Sequence, residues 1–458
     1  MRSLLKISRR GQVTLSCVVT VSWLSAQEPA PPAAPVPAVE VPPPPAAAVE
    51  PTPDPLRLAK VSPLGKVPEW EDLKVWAGTM TREEFETAWK ETYSPEVGLP
   101  PPFEIAPDGL VVPTGNPIDP VMKVPFRQGG AGELPARSWR KAADLPPLRG
   151  RPALSDLHIA LDPGHIGGGW AEVEERYLSF QPGEAIREGT LSLITARVLS
   201  QRLEALGARV SFVRDREEPV TEQRPDDFEK LARDTLAEHG ILNPLPTYAG
   251  LQGDAKILTV QWQKEKLFYR VSEIHARGDK VNGQIKPDLV LCLHLNAEAW
   301  GPSNAPQFSP KNHLHVLVNG CYAPVELEQQ DVRFEMLQRL FARIHEEEIP
   351  LAVSVAEGLA RITRLPAYIY TTPNARKVAT SPYVYARNLL ANRLYQCPVV
   401  YLEPFVMNHE ETYRRLLAGH YVGRTLISGR LQTSALEEYV SGIVQGLLNY
   451  YQNQRRPS

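Results

Sequence analysis

The chain has 458 residues, a formal net charge of −3, 22% charged residues and 43% hydrophobic ones. That length allows two or three average domains, and the balance is ordinary for a globular protein. With no long basic run, nucleic acid is excluded as the main partner, because phosphate recognition needs clustered Lys and Arg.

The first residues read as a secretory signal. Arg2, Lys6, Arg9 and Arg10 form a positive head, residues 13–24 are apolar, and Ser25-Ala26 offers a small-residue cleavage site before Gln27. The apolar run is short of the roughly 20 residues a bilayer span needs. Membrane contact is therefore expected only through this segment, and the protein is expected in the periplasm or cell envelope. Residues 27–55 are Pro, Ala and Val with a few acids, a composition that favours an extended tether.

Residues 56–150 are expected to form an N-terminal extension of short helices and loops. Trp70, Leu73 and Trp76 lie on helical spacing. Thr81 followed by Glu84 makes a capping box, and Phe85 and Trp89 then share a helix face. Residues 94–150 are rich in Pro and Gly and are read as wrapping the surface of the next domain. No internal repeat is visible.

From about residue 155 the texture becomes α/β. Residues 157–161 are an apolar strand candidate, 190–206 follow a helical period, Gly207 is a natural stop, and 209–213 form a second strand. This strand–helix–strand order implies a parallel pair with a right-handed crossover. Further short apolar runs at 289–293, 314–318 and 399–402 are typical of buried strands. A helix is expected around 332–347, and Ser434 with Glu437 caps a final helix. The expected fold is α/β: a single mostly parallel sheet flanked by helices, spanning 155–452, with the irregular, partly helical extension before it.

The residues suited to chemistry sit at strand ends, where open α/β sheets gather their sites. Asp162-Pro163-Gly164-His165 runs from a strand into a glycine-rich turn that exposes one histidine. Glu188 stands just before the first helix, His294 directly follows the 289–293 strand, and Glu403 ends another apolar strand. Two His and one Glu are the ligand set of a catalytic zinc with one position left for water. A further carboxylate is needed to take the water proton and pass it to a leaving amine. A buried acid at a strand end is expensive unless paired, protonated or functional.

These segments resemble the zinc-dependent N-acetylmuramoyl-L-alanine amidases of bacterial cell-wall turnover, over about 155–452. Ile159-Ala160-Leu161-Asp162-Pro163-Gly164-His165 looks like the family's first motif, and Glu188 occupies the place of its glutamate ligand. Val213-Arg214-Asp215 is similar to a strand end after the first helix. The segment from Asp288 to Ala297 matches the one bearing its second histidine. Leu402-Glu403 and Asn408 resemble its C-terminal motif. The resemblance implies that His165, Glu188 and His294 bind Zn2+, that Glu403 is the general base and acid, and that peptidoglycan is the substrate, cut between N-acetylmuramic acid and L-alanine. An activator protein of unknown identity belongs to the same expectation.

The sequence also departs from the family. Residues 177–187 form an unusual loop in which Glu184 is a competing ligand. Residues 216–287 are longer than usual and are a candidate cover for the cleft. The arginine expected ahead of the second histidine is Arg270 or Arg277. The glycine after the catalytic glutamate is missing, and the spacing to Asn408 is one residue short. Two other readings stay open: a zinc peptidase acting within the stem peptide, and a non-catalytic wall-binding protein on an amidase scaffold. His313, His315 and His409 are read as structural or surface residues, the first two on opposite sides of one strand. Arg361, Arg364, Arg376 and Lys377 are read as solvated surface, with contact to an acidic stem peptide as the alternative. Cys292, Cys321 and Cys397 are too few for a disulfide framework. They are read as buried thiols, with one Cys321–Cys397 bridge left open.

Overall fold

A computed structural model describes residues 57–95, 100–130, 132–301 and 305–456. The expected signal segment and tether lie outside the described residues. Pro53–Ser458 forms one compact unit.

The N-terminal extension is more regular than its composition suggests. Trp70–Trp76 is a 3-10 helix that buries Leu73. Helix α1 (Arg82–Ala88) starts at the predicted capping box: Glu84 N donates to Thr81 Oγ1 at 3.1 Å, and Thr81 N donates to Glu84 Oε2 at 2.8 Å. Strands β1 (Glu104–Ala106), β2 (Gly109–Pro113) and β3 (Val121–Pro125) form an antiparallel sheet in the stretch expected to be irregular. The signal for β3 is its alternation, with Met122 and Val124 buried and Val121, Lys123 and Pro125 exposed. Pro113 and Pro125 end their strands, where the missing N–H is tolerated.

The main body begins with strand β4 (His158–Pro163). It leads to a hairpin of β5 (Tyr177–Ser179) and β6 (Ala185–Arg187), then α2 (Glu188–Ala205) and β7 (Arg209–Phe212). The long segment 216–287 is helical: α3 (Glu229–Glu238), α4 (Gly253–Ile257), α5 (Val260–Lys266) and α6 (Glu273–Asp279), with π-helical turns at Leu267–Ser272 and Lys280–Ile285. Then come β8 (Leu289–Leu293), β9 (Leu314–Val318), α7 (Pro324–Leu327), α8 (Gln330–Phe341), α9 (Ile344–Thr363), β10 (Arg376–Lys377) and β11 (Val384–Ala386). The chain closes with α10 (Leu390–Leu394), β12 (Val399–Pro404), α11 (Glu410–Leu417), the hairpin β13 (Thr425–Ile427) and β14 (Arg430–Gln432), and α12 (Ala435–Gln454).

The central sheet has seven strands in the order β10-β11-β9-β12-β8-β4-β7. β4 pairs in parallel with β7 and β8, β8 with β12, and β9 with β11; β9–β12 and β10–β11 are antiparallel. The sheet is thus mostly parallel, as the motif order implies. Every residue of β4, β8 and β9 is buried, as expected of strands covered on both faces. On one face, Leu161, Leu291, Leu293 and Leu402 pack with residues of α2, α9 and α12. On the other, Ala160, Val290, Cys292 and Val399 pack with Val281, Ile344 and Tyr395. The N-terminal segment shares its core with α8, where Phe85 lies 5.6 Å from Phe126 and 5.5 Å from Phe341 between ring centroids.

Two expectations are corrected. The single helix around 332–347 is two helices, broken at Arg343, whose φ is 54°. The 20-residue α9 is masked in the sequence because Pro350 lies within it, and proline reads as a helix breaker. His313 and His315 do not face opposite sides: their ring centroids are 6.2 Å apart and both rings lie against Tyr368. Residues two apart on a strand share a face. The cysteines, in contrast, are thiols as read, and the Cys321–Cys397 bridge left open does not form. All three cysteines are buried thiols, and Cys321 sits in a different apolar cluster from Cys292 and Cys397.

Candidate metal centre

The site grows from the carboxyl ends of β4, β8 and β12. The register sets Asp162 opposite Cys292, Cys292 opposite Tyr401, and Glu403 opposite His315. Side chains two apart share a face, so Asp162, His294, Tyr401 and Glu403 all belong to the side of the sheet away from α2, α9 and α12.

His165 follows β4 in a left-handed backbone conformation, φ 56°. Its turn is held from several sides. Glu174 accepts from Ile166 N at 2.9 Å and from Gly167 N at 3.1 Å, and lies 3.5 Å from His165 Nδ1. Arg277, fully buried, donates to Asp162 Oδ1 at 2.8 Å and to the carbonyls of Pro163 and His165 at 2.9 Å. Arg270 is exposed, so the buried arginine before the second histidine is Arg277. Arg214, buried after β7, donates to Gly189 O at 2.9 Å and to Pro163 O at 3.3 Å, tying the turn to the start of α2. Tyr395 OH donates to Asp162 Oδ2 at 2.6 Å.

Glu188 opens α2, and its carboxylate reaches both histidines. Oε2 lies 3.2 Å from His165 Nε2; Oε1 lies 3.1 Å from His294 Nδ1 and accepts from Leu295 N at 3.1 Å. His294 is pinned between neighbours. Tyr401 stacks on it at 4.3 Å between centroids, and a Cβ at Gly164 would stand 2.3–2.5 Å from three atoms of its ring. Glycine there is required by the imidazole itself. One ligand atom from each of His165, Glu188 and His294 lies within 4.8 Å of the others, the one such group able to hold a metal ion among the described residues. Glu184 is outside it. That residue caps the β5–β6 hairpin, where its carbonyl accepts from Tyr413 OH.

The electrostatics match a cation site. Burial alone would raise the Glu188 pKa, but His165 and His294 hold it well below the usual carboxylate range. Burial opposes charge on both imidazoles. Glu188 and Glu174 overcome it at His165, whose pKa is raised, whereas His294 is lowered. Glu403 makes no such pair: burial, then the Glu188 charge, push its pKa up to about 8. A half-buried and a buried imidazole and a buried carboxylate with converging atoms fit Zn2+, whose ligands are drawn from this set.

Sequence reasoning misses Glu174 and Arg176. Arg176 Nε lies 3.3 Å from His165 Nε2 and 3.4 Å from Glu188 Oε2. Nothing in their spacing marks them, because the loop that carries them must fold back before they touch the histidine. Asn408 is buried and accepts from Glu298 N at 3.0 Å, fastening the loop after His294. His409 starts α11, with Nδ1 3.4 Å from Thr412 Oγ1. The segment 216–287 braces the His165 loop: Phe228, Val260 and Phe268 form a core with Ile166, and Lys256 pairs with Glu175.

No protein-family model and no curated protein matches the sequence. Solved structures do. The amidase Ami1 of Mycobacterium abscessus is 15% identical, with a TM-score of 0.34, covering 65% of this chain and 99% of its own. The CwlD amidase of Clostridioides difficile, in complex with the GerS lipoprotein, is 13% identical with a TM-score of 0.35 and the same coverages. AmiC2 of Nostoc punctiforme is 14% identical with a TM-score of 0.33, again over 65% and 99%. Likeness at that level assigns no activity or substrate to this chain. Ami1 and AmiC2 are named as N-acetylmuramoyl-L-alanine amidases.

Proposed function

We propose that this chain is an exported zinc amidase that hydrolyses the amide joining N-acetylmuramic acid to the L-alanine of the peptidoglycan stem. The observation that carries the reading is the convergence of His165, Glu188 and His294 to within 4.8 Å, from three separate elements, with Glu403 on the same sheet face. These three would hold the zinc, and Glu403 would act as general base and acid. Bound there, Zn2+ supplies a lowered water pKa and a polarised scissile carbonyl.

The chain's own residues would do the rest. Glu403, with a pKa near 8 set by burial and by Glu188, exchanges a proton near neutral pH, and a cation beside it would lower that value. It would take the water proton and deliver it to the departing amine nitrogen. Glu174 holds His165 through Nδ1, leaving Nε2 directed at Glu188; such outer partners orient ligands. The secretory reading of residues 1–26 would bring the enzyme to its substrate in the envelope.

Replacing Glu403 by Ala should abolish release of stem peptides from purified sacculi while zinc stays bound. A zinc-loaded Glu403→Ala protein that still hydrolyses the wall would refute the assigned role. Product analysis separates the alternatives. Amide cleavage exposes an L-alanine amino terminus, a stem peptidase leaves that alanine on muramic acid, and a wall-binding protein releases nothing.

A further inference from the structure

We infer that Arg387 binds a carboxylate of the stem peptide beside the scissile amide and so selects which peptides the cleft accepts. The inference rests on the amidase reading above.

Arg387 extends β11. Its N donates to Val318 O at 3.0 Å and its carbonyl accepts from Asn392 Nδ2 at 3.0 Å, so the backbone is fixed on both sides. The register fixes its face, although Arg387 stands level with Val399, at the end of β12 away from Glu403, so that only its long side chain reaches the site. Tyr385 stands opposite Leu317, Leu317 opposite Tyr401, and His315 opposite Glu403. Arg387, two residues on from Tyr385, leaves the sheet on that same face. Its Nη1 donates to Tyr370 OH at 3.4 Å, with the guanidinium carbon 5.8 Å from the Tyr370 ring centroid. Tyr370 in turn lies 5.4 Å from His315, the cross-strand neighbour of Glu403. The Arg387 charge is felt at Glu403, where it opposes the upward push of burial and of Glu188.

What sets Arg387 apart is its partners. Arg277 meets Asp162 and Glu273, and Arg393 meets Glu335. Arg387 is half-buried and forms no ion pair among the described residues. A guanidinium offers five donors in a fork that matches a carboxylate, and a phenol accounts for one of them. Beyond Tyr370 and Tyr385 lies a cavity of about 390 Å³, also lined by Thr371, Thr372 and Lys377, which adds a second cation along the same path.

The stem peptide fits this arrangement. Its second residue is an acid linked through its side chain, which leaves a free α-carboxylate. Two extended residues span roughly 7 Å, so that carboxylate lies close to the scissile amide. Arg387 would take it, and the following residues would run toward the cavity and Lys377.

The test uses two soluble N-acetylmuramoyl peptides that differ only at the second residue, free carboxylate against carboxamide, with zinc-loaded full-length protein. A charge-assisted hydrogen bond contributes roughly 1.5–3 kcal/mol, so wild type should prefer the carboxylate by roughly 10- to 100-fold in kcat/KM. Arg387→Gln should bring the carboxylate substrate down to the level of the carboxamide, and Arg387→Lys should keep part of the preference, with zinc content unchanged. Wild type cutting both equally, or Arg387→Gln keeping the preference, overturns the Arg387 assignment and leaves the amidase reading standing. Wild type leaving the lactyl amide of both uncut overturns the amidase reading and this inference with it. The wild-type pair and Arg387→Lys keep the test decisive should Arg387→Gln fail to fold.

Discussion

At the scale of residues, the centre is built from groups that are costly apart and stable together. Glu188 is 2% exposed, and a carboxylate so placed needs compensation. Two imidazoles and Leu295 N supply it. The least conspicuous requirement is Gly164, since a methyl there would overlap the His294 ring, which Tyr401 already backs. Gly164→Ala should therefore displace His294, and zinc in the purified protein should fall toward the level of His165→Ala, measured by elemental analysis. A Gly164→Ala protein with full zinc would show that His294 is not a ligand in the place assigned. The histidines and Glu188 are legible in the sequence because each stands at the end of a periodic element. Glu174, Arg176 and Arg387 are not, since each acts through a contact across the chain that no local pattern records.

At the scale of elements, α9 and α12 pack so closely that glycine is the contact surface. A Cβ at Gly358 would lie 2.4 Å from Gly442 O, one at Gly442 2.7 Å from Leu359 Cα, and one at Gly446 2.4 Å from Val355 Cα. Alanine gains about 1 kcal/mol over glycine in an open helix, whereas overpacking a tight contact costs roughly 1–3 kcal/mol. Backbone atoms cannot give way as a side chain can, so the second effect wins. Gly446→Ala should lower unfolding stability by about 1–2 kcal/mol in urea titration. Gly283→Ala, with nothing within 4 Å of the added carbon, should be neutral or stabilising. Equal gains from both would contradict the packing argument. Strands β8 and β9 have the limits that their sequence implies, because short apolar runs bounded by polar residues leave little freedom. The three-stranded sheet β1–β3 escapes such a reading, since prolines at its margins mask a weak alternation.

At the scale of the whole molecule, the N-terminal segment and the main body share one core, and His345 lies at that junction, its ring 5.6 Å from Tyr93. Burial pushes its pKa down to about 4, and Nδ1 is buried without a hydrogen-bond partner. Unfolded, the imidazole titrates near 6.5. Between these values the unfolded chain binds a proton that the folded chain refuses. Stability is therefore flat in this group above pH about 6.5 and falls as pH drops toward 4, by about 2–3 kcal/mol. Denaturant unfolding across that window should show the slope, to which buried His315 also contributes, and His345→Gln should reduce it; an unchanged slope would clear His345 of the effect. What the sequence determined alone was the order of β4, α2, β7, β8, β9, β12 and α12 and the four element ends where His165, Glu188, His294 and Glu403 stand, because hydrophobic period and turn chemistry are local. Tertiary structure alone decided that Arg277 rather than Arg270 holds the His165 turn, that Glu184 is no part of the His165–Glu188–His294 group, and that Arg387 shares a sheet face with Glu403. Those outcomes depend on strand register and loop return, which bring together residues far apart in the chain and leave no trace in local spacing.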